Sequence, residues 1–145
     1  MGYTERRNLN RGFMKLEVWN DAIGLFKLVS VILEKIDKLD IRLKSQILDS
    51  AQSISSNIAE GYCRRSINEY LQFLNIALGS AGELLTRMIG LKVISKISVE
   101  AFEEYEIFQY KVENKLLALV KALQSKRKSG NWDQEIHEPT GPYNY

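Results

Sequence analysis

"LKSQILDSAQSISSNIAEGYCRRSINEYLQFLNIALGSAGEL", residues 43–84, reads as two helices joined by a turn of a few residues. In its first half Leu43, Ile47, Ala51, Ile54 and Ile58 recur at steps of three and four, the period of one helical face. In its second half, and just beyond it, the face runs Tyr70, Phe73, Leu74, Ala77, Ala81, Leu84, Leu85, Met88 and Leu91. Between them Gly61 stands where a left-handed C-terminal cap is wanted, and Ser66-Ile67-Asn68-Glu69 has the Ser-x-x-Glu form of a capping box. Amphipathic helices with a short connection are expected to pack as antiparallel neighbours.

The same period extends outward in both directions. Upstream, Leu16, Trp19, Ile23, Phe26, Val29, Leu33 and Ile36 form a stripe, and Val18, Leu25, Leu28, Val31 and Ile32 add more apolar surface than one stripe holds. This first helix is therefore expected to be covered on two sides. "DKLDIRL" (37–43) interrupts the pattern before the second helix. Downstream, a turn near "ISKIS" (94–98) leads to a fourth helix with Ser98 as candidate N-cap. It carries Phe102, Tyr105, Phe108, Val112, Leu116, Leu119 and Leu123, and ends on Lys126, Arg127 and Lys128, cations suited to the negative end of the helix dipole. Both prolines, Pro139 and Pro142, lie beyond it, and strand-type alternation is absent.

The fold expected is all-α, an antiparallel up-down-up-down four-helix bundle over residues 14–128. A basic N-terminal extension (1–13) precedes it. An acidic, aromatic C-terminal tail (129–145) follows, without periodicity and expected to be extended or disordered when alone. Trp132, Ile136, Tyr143 and Tyr145 nonetheless equip that tail to dock on another surface.

The formal charge of +2 is too small to argue for nucleic acid by itself. Its distribution says more: Arg6, Arg7, Arg11 and Lys15 outweigh Glu5 at one end, while Asp133, Glu135 and Glu138 stand without Lys or Arg at the other. Cys63 is the only cysteine, so no intrachain disulfide forms. No apolar run approaches the ~20 residues of a membrane span, and the N-terminus lacks a signal peptide's apolar core. A cytoplasmic protein without membrane contact is expected.

A polar stripe runs beside the apolar one on the second helix: Gln46, Asp49, Ser53, Asn57, Glu60 and Arg64. The third helix offers Gln72, Asn75, Gly79, Gly82 or Glu83, and Thr86. Glycine inside a helix costs about 1 kcal/mol relative to Ala, and close approach of another helix is the simplest compensation. These residues suggest a partly buried polar seam of Ser53, Asn57, Glu60 and Gly61 against Gly79, Ser80 and Glu83, in which Asn57 and Glu60 meet Ser80 and Glu83. Hydrogen-bonded seams of this kind fix register more than they add stability.

Catalytic readings fare worse. The only histidine, His137, sits in the tail, so Ser-His and Cys-His pairs within the bundle are impossible. Glu-x-x-His motifs for a di-iron bundle, zinc-ligand spacings and Gly-rich phosphate loops are all missing. Glu60 with Glu83 is the one carboxylate pair a hydrolase reading has to rest on. No cofactor and no metal are expected. An RNA reading has more support: Arg64 and Arg65 directly precede the third helix, whose N-terminus favours anions. Lys126, Arg127, Lys128 and the N-terminal arginines add to it, and Tyr3 and Tyr62 are aromatic side chains able to stack on bases or to serve packing instead.

The assembled residues resemble the 23S rRNA intervening-sequence protein family of bacterial four-helix bundle proteins, also described as ribosomal-protein-like. The resemblance rests on Ser45-Gln46, the Ser53 to Gly61 run with its Asn-Ile-Ala-Glu-Gly, Arg65-Ser66, Phe73-Leu74 and Ala77 to Leu84, with "VWNDAI" (18–23) fitting the first helix. It covers about residues 15 to 125. Leu48-Asp49 departs from two frequently basic positions, Ser55 from a frequent proline and Leu78 from a common arginine. The resemblance implies a homopentamer around a central channel, association with RNA, and no catalysis; a related branch assists a reverse transcriptase. The function it implies is a non-enzymatic oligomer binding structured RNA, with Arg64, Arg65, Lys126, Arg127 and Lys128 as the residues to test. The alternative is a protein-binding scaffold or accessory protein acting through the oligomer surface or the tail.

Overall fold

A computed structural model of the chain describes residues 11–130; the extension's Tyr3, Arg6 and Arg7 and the tail's His137 and aromatic residues lie outside the described residues. A short 3-10 turn, Gly12–Lys15, precedes four α-helices: α1 Glu17–Glu34, α2 Ile41–Cys63, α3 Ile67–Val93 and α4 Val99–Ser129. No strand occurs among the described residues. Consecutive helices pack on one another, α1 also packs on α4, and α2 with α3 forms the most extensive interface of this four-helix bundle.

Local chemistry sets the helix ends. The Asp40 carboxylate accepts the Leu43 N–H at 3.0 Å and starts α2. Ser66 caps α3 by accepting from the Glu69 N–H, and Ser98 caps α4 by accepting from the Ala101 N–H at 3.0 Å. Each of these bonds satisfies one of the N–H groups that a helix start leaves without an intrahelical partner. Lys38, Arg65 and Ser95, one in each connection, take positive φ and turn the chain there. Gly130, at φ 77°, ends α4.

The α2 terminus corrects the expectation for Gly61. The helix runs on to Cys63, Arg64 caps it in helical geometry, and the left-handed residue is Arg65 at φ 56°. Gly61 is buried inside the last turn, where an added Cβ would fall 2.8 Å from the Phe73 Cβ and 3.2 Å from the Tyr70 carbonyl oxygen. It is glycine because α3 closes on it. Gly79, Gly82 and Gly90 are the reverse case: among the described residues a Cβ at any of them meets nothing within 4 Å, so the close approach expected there does not come from the described helices.

The core takes Val18, Ala22, Leu25, Val29 and Leu33 from α1, Ile47, Ala51, Ile54 and Ile58 from α2, Leu74, Ala77, Leu84 and Met88 from α3, and Tyr105, Val112, Leu116 and Leu119 from α4. The phase of α1 therefore differs from the expected stripe, since Ile23 is 41% exposed and Trp19 and Phe26 are only half-buried. Phe13, Trp19, Tyr62 and Tyr70 form a chain of edge-on ring contacts, 5.4 to 6.4 Å between centroids, that fastens the N-terminal turn over the end of α2. Asn20 completes the fastening by donating to the Met14 and Leu16 carbonyls.

Candidate functional site

Outside the apolar core, the described residues form several polar clusters and a basic surface at one end of the bundle. At the α2–α3 interface the Ser53 and Ser80 hydroxyls lie 2.7 Å apart. Asn57 donates its amide to the Ser53 carbonyl at 2.7 Å and to the Ser53 Oγ at 2.9 Å. Accepting that amide leaves the Ser53 proton available to Ser80, so three side chains share one continuous network.

Glu60 and Glu83 do not join it. Glu60 pairs with Arg64, one turn along α2, at 3.0 Å. Glu83 accepts from Arg87 Nε and Nη2 at 3.2 and 2.8 Å, and Arg87 reaches across to the Gln46 side-chain oxygen at 3.0 Å. Gln46, Asp49, Ser50, Ser53, Glu83 and Arg87 line an open cleft of about 300 Å³. The Ser53–Ser80 pair sets Glu83 near Ser50, ten residues of α2 from Glu60, about 15 Å at 1.5 Å per residue. The two carboxylates a hydrolase reading requires are thus kept apart. Among the described residues no group of His, Cys, Asp and Glu has the arrangement of a metal site.

Two buried clusters went unread in the sequence. Tyr105 donates to the Gln109 side-chain oxygen at 2.7 Å, and the Gln109 amide donates to the Ala81 carbonyl at 2.7 Å and to Glu113 at 2.6 Å. Burial, reinforced by the charges of Glu113 and Glu106, pushes the Tyr105 phenol well above its usual range. Between α1 and α4, Lys115, only 5% exposed, sits against Asp21 and lies 2.8 Å from Glu17, with Lys111 3.5 Å from Asp21. Burial by itself would lower the Lys115 pKa, but hydrogen bonds from the ammonium to Asp21 and Glu17 more than offset it and raise the pKa. The available signals were a glutamine in phase with Tyr105 and Val112, and Glu17 and Asp21 spaced one turn apart.

The basic residues singled out in the sequence lie at one end, while Lys35, Lys38, Arg42, Lys44, Lys92 and Lys96 lie at the other. Arg127 in the last turn of α4 donates to Asn68 in the first turn of α3 at 3.2 Å, which sets Lys126, Arg127 and Lys128 near the Arg64-Arg65 connection. Gly12 abuts the Tyr62 ring, which brings Arg11 and Lys15 to the same end. The charge there is not bare. Arg64 lies 3.0 Å from Glu60 and 3.8 Å from Glu69, with its guanidinium 5.3 Å above the Phe73 ring. The α3 N-terminus is also engaged: Ser66 caps it and Glu69 occupies the first turn, so the anion-attracting helix end expected beside Arg64 and Arg65 is partly satisfied from within.

The described residues thus form an all-α four-helix bundle with a hydrogen-bonded seam between α2 and α3 and a lysine buried against carboxylates between α1 and α4. The chain belongs to the 23S rRNA-intervening sequence protein family, whose profile matches residues 14–118. No curated protein matches it. No helix among the described residues is long and apolar enough to cross a membrane.

Proposed function

We propose that the chain is a non-enzymatic, RNA-associated protein of the cytoplasm whose bundle, residues 14–128, runs up-down-up-down and assembles into a homopentamer. The cross-helix pairs support the antiparallel order: along α2, Gln46, Ser53 and Gly61 meet Arg87, Ser80 and Phe73, so partners step backward along α3. Asp21 and Gly24 of α1 meet Lys115 and Phe108 of α4 in the same reversed sense. The observation that carries RNA binding is the gathering of Arg64, Arg65, Lys126, Arg127 and Lys128 at one end, together with membership of an rRNA-linked family.

Phosphate contacts release counterions, so affinity for a fluorescein-labelled rRNA hairpin should fall steeply with salt. Arg64→Ala with Arg65→Ala should weaken binding and flatten the log–log salt slope by roughly one unit for each phosphate no longer neutralised. An unchanged slope removes both arginines from the interface.

One observation favours the scaffold reading. Ile107, Tyr110 and Leu117 lie along one outward strip of α4 and are 75%, 61% and 53% exposed. A partner protein seated there would hold in 1 M salt, where phosphate contacts would not.

A further inference from the structure

We propose that the basic end of the bundle is a docking surface for an acidic segment of the same chain, residues 132–138, which lies across Lys15, Arg65 and Arg127 and competes there with RNA phosphate. The competition rests on the RNA reading; the docking does not.

Two features of the molecule support this occupant. The first is where the described chain ends. α4 delivers Gly130 to the same end as Arg127 and Asn68, and its left-handed backbone turns the chain off the helix axis there. At roughly 3.3 Å per extended residue, Asp133 reaches about 10 Å from Gly130 and Glu138 about 26 Å. Helix axes 8–10 Å apart make a bundle end of about 20 Å, so the whole surface lies within reach.

The second is charge complementarity. Asp133, Glu135 and Glu138 fall within six residues that contain no Lys or Arg. The end they reach carries Arg11, Lys15, Arg64, Arg65, Lys126, Arg127 and Lys128, against Glu60 and Glu69 among its acids. Trp132 and Ile136 flank and separate the carboxylates, and a Trp face accepts a guanidinium.

Zero-length carbodiimide cross-linking of the full chain, mapped by mass spectrometry on a mixture of light and ¹⁵N-labelled protein, tests the docking. Lys126 and Lys128 are too near in sequence to be informative, so Lys15 is the reporter. The expected product joins Lys15 to Glu135 or Glu138 within one copy at 0.1 M salt and fades at 1 M. No Lys15 product, or one joining light to heavy copies, overturns it. In parallel, Asp133→Asn with Glu135→Gln and Glu138→Gln should tighten binding of the labelled hairpin by roughly five- to tenfold, the effect of removing a few competing surface ion pairs. Equal affinity of both proteins overturns the competition. If neither protein binds the hairpin while the Lys15 product forms, the docking stands and the RNA reading fails.

Discussion

Gly61 and Gly79 lie on facing helices and answer opposite demands. A Cβ at Gly61 would lie 2.8 Å from Phe73 and close to the Tyr70 backbone, neither of which is the loose end of a flexible side chain. Gly61→Ala should therefore lose about 1–3 kcal/mol of stability in urea unfolding, the usual cost of overpacking a tight contact. Gly79→Ala should gain about 0.5–1 kcal/mol, because it relieves backbone entropy and its methyl meets nothing. A loss at Gly79 would mean that another copy closes on that face of α3. In the seam, Asn57→Leu removes the amide that orders Ser53, and it should cost about 1–3 kcal/mol, with unchanged melting as the contrary result. The spacing of Ser53, Asn57 and Ser80 makes their meeting legible in the sequence. The same spacing misleads at Glu60, whose long side chain reaches its own i+4 arginine instead of the facing helix.

At the scale of the element, what can be read from sequence depends on how one-sided each helix is. The second and third helices have a single apolar phase, and the caps at Ser66 and at Ser98 of the fourth are local bonds, so both features are legible. α1 is apolar on nearly every side and offers no phase, so a stripe drawn through Ile23 passes over the buried Val18. α4 hides its phase differently: Gln109 and Lys115 occupy buried positions that an apolar pattern skips. The fold also has an alkaline weakness centred on α4. Lys115 and Tyr105 both hold their protons above their ordinary pKa values, 10.5 and 10.0. Above about pH 10 the unfolded chain releases protons that the folded chain keeps, so stability must fall as pH rises. The melting temperature should drop through pH 10–11, and Tyr105→Phe should lessen that drop. A flat profile would show that neither group is held as described.

For the whole molecule, a small net charge conceals a division of labour. Arg64, Arg65, Lys126, Arg127 and Lys128 share one end of the bundle, an acidic segment follows α4 from that same end, and apolar side chains are left outward on α4. That the chain's two ends differ in charge is visible in the sequence, and in the structure the Arg127–Asn68 contact brings α4's cations to the Arg64-Arg65 connection. Native mass spectrometry of the full chain, purified from its own cells without nuclease treatment, addresses the central claim most directly. The expected species is five copies carrying RNA that can be recovered and sequenced. A species without RNA, whether a bare oligomer or one holding a partner protein, would contradict it.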